Sequence, residues 1–354
     1  MENFLKKESF NCLKMENKIN LKLNYLGALK QAPFLIRELQ KIILDLEIDA
    51  YTGDYTTSDP IGKDILLSDL NHEEINSDKI KIFQSNWDNR KKNFDVTLEV
   101  NKENNQFFQK EMIGLWIDPL KFEKRKLLNK EEINELKEKY KLDSEKIVLA
   151  GSIDSWEYST IFDGTKKFIE QKPNSKVIIA PRKNSEEIFQ FLSNHCQFSF
   201  DSGDKATKHS RYLVITELGI LEKLYSACDI AIIGNTFYGA SSGQNPLEPA
   251  FYGKRIISGL DNENNTEAYN GLEKSRLLKR IFPEDLEKEL LKEIPETEMT
   301  ICRENAKKFI ESKQGAAKVY AECIKQSLEE TLTQREFQHK TRDLFQTFER
   351  EFSI

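Results

Sequence analysis

The sequence predicts an α/β chain of two domains, the second a parallel sheet covered by helices on both faces. Three observations carry this expectation. First, 354 residues are enough for two separate cores. Second, from residue 146 onward short runs of continuous apolar residues alternate with helical stretches, the pattern of strands buried on both sides. Third, the residues distinctive for chemistry fall after those runs, at the edge where open α/β sheets hold ligands.

Composition narrows the function classes. A formal net charge of -6, from 53 basic and 59 acidic side chains, supplies no cationic field for nucleic acid. The cysteines Cys12, Cys196, Cys228, Cys302 and Cys323 form no CxxC pair, so reduced thiols are expected rather than disulfides or zinc. His72-Glu73-Glu74 lacks the second His of a zinc helix, and no metal site is expected. No run reaches the ~18–20 apolar residues of a membrane helix. The first residues, Met1 to Lys7, lack the apolar core of a signal peptide. The expectation is a cytoplasmic protein. Basic residues interleaved with Phe4, Phe10 and Leu13 leave open either a peripheral membrane contact or a solvated helix face.

In the first domain, residues 21–50 read as helical from the spacing of Leu26, Leu29, Leu35, Leu39, Ile42 and Leu46. A polar loop over 51–62 follows, with Asp54 and Asp59 as carboxylates that could serve a site. Strands are expected at Asp64–Leu67, Ile80–Gln84 and Phe94–Val100. The charged stretch 121–141, with Leu127, Leu128, Ile133, Leu136 and Tyr140 at helical spacing, connects to the second domain.

In the second domain, strands are expected at Ile147–Ala150, Lys176–Ala180, Tyr212–Ile215, Asp229–Ile233 and Arg255–Ile257. Helices are expected at Trp156–Gln171, Ser185–His195, Leu221–Ala227 and Pro246–Tyr252. Gly151-Ser152 follows the first strand, Pro181-Arg182-Lys183 the second, Leu218-Gly219 the third, Gly234-Asn235 the fourth and Gly259 the fifth. These five loops are expected to converge on one Rossmann-like crevice.

The chemistry there suits an anion. Arg182 offers a planar fork for phosphate and Lys183 a second positive charge, although a solvated basic pair is the plain alternative. Gly243-Gln244-Asn245-Pro246-Leu247-Glu248-Pro249 leads into a short helix closed by Gly253, whose first N–H groups could face an anion. Asn245 could bind phosphate or cap the helix. Glu248 could accept from ribose hydroxyls or simply favour the helix dipole. After it, 260–271 reads as a loop, 300–330 as one long helix, and the tail from Gln334 as an amphipathic helix.

The Gly243–Pro249 segment resembles the Gly-Gly-His-Asn-Pro-Leu-Glu-Pro motif of the 3-deoxy-D-manno-octulosonic acid (Kdo) transferases, with Gln244 at the His. Ala180-Pro181-Arg182-Lys183 resembles that family's Ala-Pro-Arg-His. Thr216 to Leu221 resembles its Asp-Thr-x-Gly-Glu-Leu, with Ile220 at the Glu, and Gly151-Ser152-Ile153-Asp154 its Gly-Ser-Thr-His. Asn305 to Phe309 and Gly315-Ala316-Ala317 are similar to its C-terminal helix. The resemblance covers roughly residues 94–325.

It implies a GT-B fold, two Rossmann-like domains facing a cleft, the N-terminal one shortened. The boundaries expected are 1–143 for the acceptor-side domain, 144–325 for the donor domain and 326–354 for a terminal helix packing back on the first domain. It further implies transfer of Kdo from CMP-Kdo to a lipid or glycolipid acceptor, a lipid A precursor, at the inner face of the cytoplasmic membrane, without metal or cofactor. Pro181, Arg182, Lys183, Leu218, Gly219, Asn245 and Glu248 would hold the donor nucleotide. Gly151, Ser152, Gly234, Asn235 and Gly243 would shape the loops around it. The family's Ser-x-Gly-Glu loop, which carries its proposed base, has no counterpart, so no catalytic residue is assigned. A transferase with another donor, or an inactive nucleotide-sugar binder, are the alternatives.

Overall fold

A computed structural model describes residues 120–182, 185–200, 210–238, 243–262, 265–318 and 321–322. Before residue 120 it describes the backbone of six short strands and residues 37, 38 and 41 of a helical segment. The chain divides into two compact units, Met1–Lys124 with Ser312–Ile354, and Arg125–Glu311.

In the first unit, β1 (Ile19–Leu23), β2 (Ile48–Thr52), β3 (Lys63–Ser68) and β4 (Ile80–Phe83) form a parallel sheet in the order β2-β1-β3-β4. A two-residue antiparallel pair joins β5 (Asp95–Val96) to β6 (Ile113–Gly114). The helical reading of 21–50 is therefore corrected at both ends. Ile19, Leu21 and Leu23 alternate with Asn20 and Lys22, and Ile48-Asp49-Ala50 alternates likewise, a two-residue period that a long helical window averages away. Asp54, Asp59, His72 and the tail from Gln334 lie outside the described residues.

The second unit opens with α1 (Lys130–Lys139), started by a capping box in which Asn129 and Glu132 satisfy each other's backbone N–H groups. It continues β7 (Lys146–Ile153), α2 (Tyr158–Gln171), β8 (Ser175–Pro181), α3 (Ser185–Ser193), β9 (Phe198–Phe200), β10 (Tyr212–Val214), α4 (Leu221–Leu224) and β11 (Ile230–Ile233). It ends with α5 (Leu247–Phe251), β12 (Arg255–Ser258), α6 (Thr266–Lys274), β13 (Leu278–Arg280), α7 (Leu286–Leu291) and α8 (Glu296–Glu311). The seven strands pair in parallel in the order β13-β12-β11-β7-β8-β10-β9.

The five expected strands all form. The three-residue β9 and β13 are too short to show a period. Three expectations are corrected. Gly151 and Ser152 do not leave the sheet: β7 runs on to Ile153 across a bulge at Ser152, whose φ of 58° lies in the left-handed region. The loop expected over 260–271 contains α6, because Ala268, Tyr269 and Leu272 share one fully buried face. The long helix expected over 300–330 ends at Glu311, and the chain turns at Gly315 (φ 107°) before resuming at Ala316.

The core of this unit lies between its central strands and the helices that cover them. Val148, Ala150, Val177, Ile179, Val214 and Ile232 of the central strands pack with Ile161, Phe162, Phe168 and Leu286 of the covering helices. Arg125, the first residue of the unit, lays its guanidinium 5.2 Å from the Phe251 ring and pairs with Glu222 at 2.5 Å. Among the described residues, no helix is long and apolar enough to cross a membrane.

Candidate functional site

The strand order reverses direction beside β7: β8 lies on one side and β11 on the other. The carboxyl ends of β7 and β11 therefore bracket the switch point, where helices leave toward opposite faces and a crevice opens. Hydrogen bonds tie four of the five expected loops together there. The Arg182 N–H, just beyond β8, donates to the Ile153 carbonyl at 2.9 Å, and the Gly234 N–H to the Gly151 carbonyl at 2.9 Å. The Gly259 N–H donates to Thr236 Oγ1 at 2.7 Å, and the Gly243 N–H to the Asn235 carbonyl at 3.1 Å. Glycine is required where these backbones cross. A Cβ on Gly234 would stand 2.4 Å from the Ser152 carbonyl oxygen, and one on Gly259 2.0 Å from that of Thr236.

The remaining loop, after β10, stands outside this knot. Leu218 is 94% exposed, and Gly219 (φ 80°) has open space around it. Beside them, Glu217 is held by Lys139 and Tyr140 at 2.8 and 2.6 Å.

Of the nucleotide candidates, Pro181 ends β8 half-buried and Arg182 has a side chain 40% exposed, its Nη1 3.5 Å from Asp154 Oδ2. Lys183 lies outside the described residues. Asn245 adopts its capping alternative, with Oδ1 accepting from the Leu247 N–H at 3.1 Å. Glu248 is buried and close enough to Tyr225 for its charge to help raise that phenol well above its ordinary range, burial being the larger cause. Ile220, which stands at the family's Glu, is buried and apolar.

The residue that sequence reasoning missed is Glu157. Its side chain is fully buried, and its carboxylate accepts four backbone N–H groups: Asn235 at 2.7 Å, Thr236 at 3.0 Å, Phe237 at 3.3 Å and Asp154 at 3.1 Å. The N–H groups of the turn after β11 are thus filled by the chain's own carboxylate. Burial raises the Glu157 pKa, against the lowering effect of those hydrogen bonds. Burial, with the charges of Glu187, Asp154 and Glu157, pushes Tyr158 up to about 12. The signal available was the Asp154-x-x-Glu157 spacing of a capping box directly after a strand.

These features define an α/β protein of the GT-B class. Its fold matches that of the S. aureus MnaA–UDP complex with a TM-score of 0.51 at 12% identity, over 88% of this chain and 97% of that one. The sequence then gives a narrower relation. The chain is 28% identical over 215 residues to the 3-deoxy-D-manno-octulosonic acid transferase of Rickettsia conorii, covering 58% of this chain and 45% of that enzyme. It is 31% identical over 125 residues to a bifunctional glycosyltransferase/methyltransferase of Fusobacterium nucleatum, covering 34% and 19%. The resemblance to the Kdo transferases therefore extends well beyond the short motifs. The chain spans about half the length, or less, of these curated relatives. No family model matches it.

Proposed function

We propose that this chain is a Kdo-transferase-like glycosyltransferase whose second unit holds a nucleotide-activated sugar. The single observation that carries the reading is the 28% identity over 215 residues to the R. conorii transferase. In this reading the donor is CMP-Kdo and the acceptor a lipid A precursor, met by a protein peripheral on the inner face of the cytoplasmic membrane. Pro181 ends the central strand β8 and Arg182 and Lys183 follow it, and Arg182 is a partly exposed cation beside the switch point, 3.5 Å from Asp154 Oδ2. The reaction breaks the bond between the sugar's anomeric carbon and the CMP phosphate and forms one to an acceptor oxygen. A base removes the acceptor proton, while Arg182 and Lys183 stabilise the departing phosphate.

A second reading, a transferase with another donor or a binder without turnover, is favoured by Ile220. A buried apolar side chain cannot make the polar contact of the Glu that the family motif carries there. Thermal shift with CMP, UMP, GMP and ADP separates these. A CMP-selective shift lost in Arg182→Ala supports the first reading, and at ~100 times Kd it amounts to ~2.7 kcal/mol. Preference for another nucleotide moves the donor. No shift with any of the four sinks the donor-site reading.

A further inference from the structure

The segment that leads into α5 is held from the side by α6. Gly243 and residues 246–250 are buried there, and Gln244 and Asn245 are the half-exposed pair between them. Asn265 Nδ2 donates to the Gly243 carbonyl at 3.3 Å, and the Tyr269 hydroxyl to the Gln244 carbonyl at 2.8 Å. One carbonyl lies in the peptide plane before Gln244 and the other in the plane after it. Each plane is rigid, so two donors from one helix fix both backbone dihedrals of Gln244.

The local backbone needs such a hold. Gly243 has a φ of 72°, glycine is the most permissive residue, and Gln244 and Asn245 belong to no helix or strand. α6 can supply it because α6 is itself braced. Ala268, Tyr269 and Leu272 are fully buried, and a Cβ on Gly271 would stand 2.0 Å from the Phe309 ring of α8. Burial also keeps the Tyr269 phenol well above its ordinary pKa, so it stays a donor at any working pH. Asn265 gives the more telling sign. It occupies the N-cap position of α6, where a polar side chain ordinarily serves the helix's own N–H groups. Its side chain makes no capping bond and reaches the Gly243 carbonyl instead.

We infer that Asn265 and Tyr269 are positioning residues, which set the backbone of Gln244 and so present the accessible pair Gln244 and Asn245 to the nucleotide. The inference rests on the donor-site reading for what that pair meets. Each of the two acts through a backbone carbonyl and touches no ligand.

The test compares the full wild-type chain with Tyr269→Phe and Asn265→Ala. Phenylalanine keeps the buried ring and removes only the hydroxyl, and Asn265→Ala takes no cap from α6. Hydrogen exchange read by mass spectrometry follows the peptide over residues 243–252 without ligand. Calorimetric titration with CMP, UMP, GMP and ADP, well below the melting temperature, gives the affinities. We expect exchange over 243–252 to be about three- to tenfold faster in each variant, with the β7 and β8 peptides unchanged. The nucleotide that wild type binds should be held about three- to tenfold more weakly. A role confined to packing would lower the melting temperature and leave that affinity as in wild type. Unchanged exchange in Tyr269→Phe overturns the hold. Unchanged affinity for a nucleotide that wild type does bind overturns the positioning role and spares the donor reading. If wild type binds none of the four, the donor reading falls and the positioning role falls with it, whatever the exchange shows.

Discussion

Glu157→Gln is the sharpest test of how the site edge is held. Glu157 Oε2 accepts from the Asp154 and Asn235 N–H groups, and Oε1 from those of Thr236 and Phe237. The glutamine amide keeps one oxygen and turns an NH2 group toward the other pair of donors, so two buried N–H groups lose their acceptor. At ~1–3 kcal/mol for each unmet group, the gross loss is ~2–6 kcal/mol. Relief from burying a charge offsets part of it, leaving about 2–4 kcal/mol. For a unit of this size that is a fall in Tm of about 5–15 °C. Because burial raises the native pKa above the ordinary 4.5, native Glu157 binds a proton more tightly than unfolded Glu157. Its contribution is fully present below 4.5 and declines as pH rises through the native value. The stability gap between wild type and Glu157→Gln, measured by urea unfolding, should therefore be widest in acid and narrow as pH rises. A variant as stable as wild type would refute the account of this carboxylate as the acceptor that holds the loop, and a gap that widens with pH would refute a Glu157 pKa raised by burial.

Two further outcomes follow from packing. Gly259→Ala drives a Cβ to 2.0 Å from the Thr236 carbonyl oxygen, whereas Gly219→Ala meets open space and strains only a φ of 80°. Urea unfolding should show a loss of about 3 kcal/mol or more for the first and about 1 kcal/mol for the second. Burial pushes the Cys228 thiol up to about 12, so peptide mapping after alkylation at pH 8 should find Cys228 unmodified in the native protein and modified in urea.

The sheet of the second unit was legible because its strands are apolar on both faces and its helices are not. Ile147–Ala150 and Ile230–Ile233 sit where their composition put them. What stayed hidden is non-local. No period marks that Gly151 and Ser152 stay in the sheet, since the bulge answers to the β8 register across the pair Ile153 and Pro181. Nor does spacing tell that Glu157 reaches the loop after β11, almost 80 residues on. Asp154 entered the reading only as a departure from a family motif. Its carboxylate pairs with Arg182 at 3.5 Å and its N–H with Glu157, contacts that three-dimensional packing reveals. Pro181 and Arg182 were legible because they end a strand in the middle of the sheet.

A loop that carries its own counter-anion is deaf to phosphate. With Glu157 seated in the N–H groups of Asn235, Thr236 and Phe237, an incoming phosphate gains nothing from that turn unless it evicts a carboxylate from the protein interior. The β11 side of the switch point thus offers no free N–H groups in that turn, whereas the β8 side carries the Arg182 guanidinium, 3.5 Å from Asp154 Oδ2. Any anion that binds at this edge must find its positive charge somewhere other than that turn.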